Sequence, residues 1–363
     1  MHRLEDLEYI KKLDKYDMYG KTMGIPDQIQ KAYFEPIIHK PKDFTISSKK
    51  IRQILVCGMG GSAIAGDIIR SYFNIDLPIT VVKDYHLPFV GSETMCLFVS
   101  YSGNTEETLS CLKIASEHHA QPMIAAVTVG GKMKEMIDGK YLWLEAPAGY
   151  QPRVALAYMF FSVLKILELF TIVEDHTECV KEIFDSMKKK IIPMSVEVEV
   201  RQNIAKTAAI AIQNKIPIIY SSNPELNSVA YRWKCQINEN AKQPAFHHTF
   251  PEMNHNEIVG WENKELTKNF IPIFLRRHDD EDHYVKRIEI FKELLAKNDV
   301  QFLEFFGNGT VHKDGDDEFY FLPPIINSLV FLADMTSFYL AILNGVDPTE
   351  IKYIDYMKDK LKS

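Results

Sequence analysis

The sequence has no uninterrupted apolar run long enough to cross a bilayer. Its longest candidates, VALAYMFFSVLKILELF and LPPIINSLVFLADMTSFYLAILNGV, are broken by Lys165, Glu168 and Asp334, which predicts buried helices and no membrane partner. It also has no excess of positive charge. A formal net charge of −7 leaves no electrostatic footprint for nucleic acid, and the runs Lys49–Lys50 and Lys188–Lys190 fall where solvated faces or helix ends would put them. The five cysteines (Cys57, Cys96, Cys111, Cys179 and Cys235) contain no C-x-x-C pair, and most lie in apolar runs, as small hydrophobes of a reducing cytoplasm would. No biased tract suggests disorder. The amino terminus, MHRLEDLEYIKKLDKYD, is charged throughout, lacks the apolar stretch of a secretory signal, and reads as an amphipathic helix.

With 46% hydrophobic and 25% charged residues over 363 positions, the chain can bury more than one core. Residues 36–50 read as a proline- and lysine-bearing linker. After it, β-branched runs alternate with helical patterns: IRQILVC, PITVV, MCLFVS, PMIAAVTV and YLWL. The rhythm returns in IPIIYS, NFIPIFL and VQFLEFF, with no internal sequence repeat. A long helical region, about 153–215 and broken at Pro193, joins the halves, and helices near 323–344 and 348–362 close the chain. The expected class is α/β, with two doubly wound parallel sheets flanked by helices. The expected domains are 1–185, with the leading helix and the phosphate-binding loops, and 186–363, with the closing helices.

The segment VCGMGGSAIAGD (56–67) follows a strand and opens a helix. Gly58, Gly60 and Ala63 fit the dinucleotide pattern G-x-G-x-x-A, with Asp84 after the next strand as a ribose acid, and would suggest an NAD-dependent oxidoreductase. A single phosphate would use Gly60, Gly61 and Ser62 equally well, because close backbone approach and helix-terminal amides suit any phosphate. MCLFVSYSGNTEETL separates the two readings. Ser100, Ser102 and Thr105 crowd the carboxyl end of another strand, and with Ser62 they make a hydroxyl cluster suited to one compact sugar phosphate. The competing reading is that these residues merely cap helices, Thr105 heading a first turn through Thr108.

The G-G-S loop followed by S-Y-S-G-N-T-E-E-T resembles the sugar isomerase (SIS) domain. GYQPRVALAY (149–158), RWKCQINENAK (232–242), PEMNHNE (251–257) and GVDPTEIKYIDYMKDKL (345–361) resemble the bifunctional phosphoglucose/phosphomannose isomerases of archaea and bacteria. That resemblance implies interconversion of glucose-6-phosphate, and of mannose-6-phosphate, with fructose-6-phosphate through an enediolate, in a homodimer that needs neither cofactor nor metal. Such chemistry requires a carboxylate to move a proton and a cation to hold the developing oxyanion. Glu239, between Asn238 and Asn240 at a helix end, is the carboxylate the resemblance selects over an ordinary exposed helix glutamate. Arg153, in the first turn of an apolar helix, gains more from an anion than from its own helix dipole; the family places it beside the reacting carbons, although an ion pair with a carboxylate would also satisfy it. His255 takes the ring-opening role and by resemblance comes from the partner subunit. Lys358 matches a lysine that the family brings from its carboxy-terminal helix, where a solvated lysine is the ordinary alternative.

His247, His248, Glu252, His255 and Glu257 raise a metal reading, but they lack helical H-x-x-x-H or strand H-x-H spacing, and no metal is expected. The acidic segment FGNGTVHKDGDDEFYFLPP departs from the family pattern and reads as an exposed insertion. A phosphosugar sensor without catalysis would share both loops and would not need Glu239.

Overall fold

The computed structural model describes residues 2–45, 50–72, 75, 77–307, 310–314, 317–321 and 323–361. The chain divides into two compact units, Gly24–Asp185 and Met1–Met23 with Ser186–Ser363. The leading segment therefore belongs with the carboxy-terminal half rather than with residues 24–185. The cause is apolar burial and polar anchoring: Leu4, Ile10 and Met18 are buried, the Arg3 guanidinium donates to the Leu343 carbonyl at 3.2 Å, and Glu5 accepts from the Val200 N–H at 3.1 Å.

In Gly24–Asp185 the sheet strands are β1 (Ile37–His39), β2 (Gln53–Cys57), β3 (Ile79–Val82), β4 (Thr94–Ser100), β5 (Met123–Thr128) and β6 (Leu142–Glu145), in the order β1-β6-β5-β4-β2-β3. All neighbours are parallel except β1, which runs antiparallel to β6 on the edge, inside the segment expected to be a linker. His39 holds that edge by stacking on Trp143 at 4.0 Å and pairing with Glu145 at 2.7 Å. The central strand β4 is buried along its whole length, as a parallel strand covered on both faces must be. One face packs Leu55, Phe98 and Trp143 against Cys111 and Leu112 of the helix Glu106–Ser116 and Met133 of the helix Gly131–Ile137. Elsewhere in the unit the helix Gly60–Tyr72 packs against the helix Leu156–Leu169, which is apolar nearly all round and correspondingly buried.

The other unit carries β7 (Ile216–Ser221), β8 (Phe246–Thr249), β9 (Phe270–Arg277) and β10 (Leu303–Gly307), ordered β10-β9-β7-β8 and wholly parallel. Tyr220, Phe250, Trp261, Phe274 and Phe291 form an aromatic core. Elsewhere in this unit the helices Ile204–Ile212 and Asn227–Ala241 both pack on the long helix Pro323–Asn344. The acidic segment contributes an antiparallel pair, β11 (Thr310–Asp314) and β12 (Asp317–Phe321); the exposure expected of it falls on side chains outside the described residues. The expected long helical region is interrupted twice. One break follows Leu169, where Thr171 adopts a left-handed φ of 54°, and another lies between Lys190 and Ile204, which includes Pro193 and two short 3-10 turns.

Candidate functional site

In the first sheet the chain steps from β2 to β3 on one side and then to β4 on the other, so the crevice beyond the carboxyl ends of β2 and β4 is a topological switch point. Both hydroxyl-bearing loops open there. Gly60 has φ +50°, and a Cβ on Gly61 would lie 2.9 Å from the Pro152 carbonyl and 3.2 Å from the Arg153 Cα, so this loop can hold its course only with glycine. That close approach also sets Arg153, itself 3% exposed in the 3-10 turn Pro152–Val154, against the first hydroxyl-bearing loop.

One hydrogen bond ties the two loops together, and others brace the second loop internally. Ser62 Oγ accepts from the Tyr101 N–H at 3.2 Å, across from the second loop. Ser100 Oγ shares a hydrogen bond with Thr105 Oγ1 at 3.1 Å and accepts from the Gly103 N–H at 3.1 Å. Ser102 Oγ, on the exposed side, accepts from the Asn104 N–H at 3.3 Å. One hydroxyl proton is therefore used internally, between Ser100 and Thr105, while Ser62 and Ser102 serve these bonds as acceptors and keep protons to donate outward. Thr105 stands at the N-cap of the helix Glu106–Ser116 but makes no side-chain capping bond, so capping does not account for it. Gly103, with φ +65°, is pressed so closely on the next loop that a Cβ would fall 1.7 Å from the Gly130 carbonyl oxygen. Gly60, Gly61, Ser62, Ser100, Ser102, Thr105 and Arg153 thus lie in one unit. Asp84, the acid of the dinucleotide reading, is exposed and turns its carboxylate to the Tyr85 N–H at 2.5 Å.

The other candidates lie in the second unit. Glu239 is half-buried in the last turn of the helix Asn227–Ala241, which ends at Lys242 in the left-handed region. Lys242 Nζ ties off that end by donating to the carbonyls of Glu239 at 2.9 Å and Asp347 at 2.6 Å. One helical face is fixed by buried polar contacts: Arg232 and Gln236 each reach the Asp334 carboxylate at 2.7 Å, and Asn240 reaches Ser337 at 2.9 Å. Burial pushes the Asp334 carboxyl up, against the pull of Arg232.

His255 ends the 3-10 turn Glu252–His255 and is exposed. Beside this turn, His248 Nδ1 lies 2.8 Å from Glu257, which also accepts from the Tyr220 hydroxyl. Tyr220 escaped the sequence reading; its one signal is a lone phenol inside the aliphatic strand IPIIYS. Burial pushes that phenol up. Lys358 is exposed on the helix Lys352–Leu361, which buries none of its residues. Among the described residues, no three His, Cys, Asp or Glu side chains form a group that could hold a metal. No helix among them is long and apolar enough to cross a membrane.

A family model described as the bacterial phospho-glucose isomerase C-terminal SIS domain matches residues 201–361. The chain is 36% identical over 356 residues to a bifunctional phosphoglucose/phosphomannose isomerase of Caldicellulosiruptor bescii, covering 95% of this chain and 98% of that protein. To the protein of the same description from Aquifex aeolicus it is 38% identical over 318 residues, covering 85% and 90%. Among solved structures, a hypothetical protein of Thermus thermophilus superposes with a TM-score of 0.71 at 12% identity, over 98% of this chain and 93% of that one, a likeness of fold.

Proposed function

The chain belongs to the bifunctional phosphoglucose/phosphomannose isomerase family, and from that premise we propose that it interconverts glucose-6-phosphate, and mannose-6-phosphate, with fructose-6-phosphate. The carrying observation is the switch point where two hydroxyl-bearing strand-to-helix loops meet and Arg153 lies against the first of them. Ser62, Ser102 and Thr105, with the helix-terminal amides, bind the phosphate of the open-chain sugar. Glu239 removes the proton from C2 of the aldose, and the electron pair moves into the C1–C2 bond to give an enediolate. Returning that proton to C1, with a proton gained at O1 and one lost from O2, yields the ketose. Arg153 balances the oxyanion, where a desolvated guanidinium acts more strongly than in water.

His255 opens and closes the sugar ring, and its exposure supports a role toward a second subunit, in a cytoplasmic homodimer whose sites are shared. Lys358, equally exposed, completes the site beside the substrate. No metal takes part. A coupled assay with both hexose phosphates, run with and without chelator, tests this reading. Conversion of each to fructose-6-phosphate, unchanged by chelator, is the expected result. Activity lost with chelator and restored by zinc would overturn the mechanism, and binding without conversion would make the chain a phosphosugar sensor.

A further inference from the structure

The two sheets share more than a class. Around β2 the order is β3-β2-β4-β5, and around β7 it is β8-β7-β9-β10, every pair parallel, so the ends of β7 and β9 define a second switch point like the first. There, too, each strand leads through a short loop toward a helix: β7 through Ser222 and Asn223 to Asn227–Ala241, and β9 through His278–Glu281 to Asp282–Lys297.

What fills the second crevice is the protein's own carboxylate. Asp280, its side chain 1% exposed, accepts on Oδ1 from the Ser222 hydroxyl at 2.7 Å and the Asn223 amide at 3.0 Å. Oδ2 accepts from the Arg277 N–H at 3.2 Å and from Arg276 Nε at 3.4 Å. A hydroxyl and a side-chain amide from the loop after β7, with a backbone N–H and a guanidinium from the end of β9, converge on one anion. This is the donor set that a small oxyanion such as phosphate requires. Arg276 is held by Glu304 at 2.8 Å and Glu289 at 3.0 Å, so its guanidinium has anchors besides Asp280.

We infer that the second switch point is an oxyanion site closed by Asp280, an internal anion standing where a phosphate would bind, and that this restricts the chain to one sugar phosphate. The inference deepens the proposed function and rests on the first switch point being the phosphate site. Asp280→Gly removes the carboxylate and leaves Ser222, Asn223 and the Arg277 N–H without that acceptor, a deficit that an added oxyanion makes good.

Equilibrium dialysis against inorganic phosphate compares the full-length wild type with Asp280→Gly. The variant should bind one more phosphate per chain than the wild type. Equal stoichiometry overturns the inference, as does a wild type that already binds at Ser222 and Asn223, seen as phosphate lost on Ser222→Ala. Should the glycine variant not fold, Asp280→Ala serves the same comparison, because its methyl group accepts no hydrogen bond and vacates the carboxylate's volume. Failure of the first-site reading shows separately: Ser102→Ala/Thr105→Ala would then leave wild-type binding undiminished.

Discussion

The two switch points share strand order and differ in chemistry. At the first, Ser102 is exposed and Ser62 buried, and each accepts from a backbone N–H. At the second, Ser222 and Asn223 are buried and satisfied by Asp280. Topology sets where a ligand could lie, and side chains decide whether one does. In the proposed function, phosphate holding falls to loops of Gly24–Asp185 and proton transfer to Glu239 and His255, while in the other unit Asp280 occupies the corresponding crevice.

Separating holding from reacting gives the largest expected effect. Glu239→Gln keeps shape and hydrogen-bonding atoms but removes the proton acceptor. Turnover should fall by about 10²–10⁴-fold, while sugar-phosphate affinity stays within about tenfold. Steady-state kinetics beside direct binding measures both, and near-normal turnover would remove Glu239 from the mechanism.

Next in size is the buried frame that orients the helix carrying Glu239. Arg232 and Asp334, 1% and 3% exposed, form an ion pair that Gln236 also joins. Removing one partner leaves an uncompensated buried charge, so Arg232→Met should cost about 3–5 kcal/mol in urea unfolding, and adding Asp334→Leu should recover most of it. A double variant as unstable as the single one would refute this account of the pair.

At the first switch point the effect should be smaller and should fall on binding. Ser102→Ala or Thr105→Ala removes a hydrogen bond to a charged group, each about 1.5–3 kcal/mol, which raises KM roughly ten- to hundredfold with little change in kcat. Equal losses with phosphate-free sugars would show that these loops do not hold phosphate.

Much of this contrast was legible in the residues, and one part was not. β-branched runs between turn signals marked the central strands of both sheets, and the glycines and hydroxyls of 58–62 and 100–105 carried a local signal because the backbone there must approach other chain closely. β1 and β8 escaped. Each is a short edge strand, Ile37 being 55% and Phe246 54% exposed, so neither shows the apolar continuity of a buried strand. Asp280 was hidden for a different reason. In HDDEDH nothing distinguishes the one buried carboxylate from Asp279, Glu281 and Asp282, because its burial depends on Ser222 and Asn223, far away in the chain. Proximity in sequence places the leading segment with residues 24–185, whereas its turn Arg3–Glu5 and its helix Met18–Met23 pack on the helix Pro323–Asn344, with Tyr19 against Phe338.

The smallest effect expected is one of pH, and it too separates the units. In Gly24–Asp185, burial would raise the Glu168 carboxyl, but hydrogen bonds from His176, Tyr33 and Lys165 outweigh it and hold the group below its usual range. His176 is raised, chiefly by its bond to Glu168. Its contribution is complete below the unfolded value of 6.5 and is lost as pH rises through the higher folded value. In the other unit, burial likewise opposes Arg276 and Lys292 at Glu304, which ends up lowered, so its contribution is present above the unfolded value of 4.5 and lost as pH falls through the folded one. Amide exchange should show Gly24–Asp185 weakening by about 1 kcal/mol or less above pH ~6.5. His176→Gln should flatten that slope; an unchanged slope would assign it to another group.

The central claim is that a sugar phosphate bound at the first switch point loses and regains a proton at C2. Glucose-6-phosphate incubated with the wild-type protein in deuterium oxide and followed by proton NMR tests it directly. A base that carries the proton between adjacent carbons can trade it with solvent, so the account predicts deuterium at C2 of the glucose-6-phosphate pool together with the appearance of fructose-6-phosphate. Bound substrate that keeps its C2 proton and yields no ketose would contradict it.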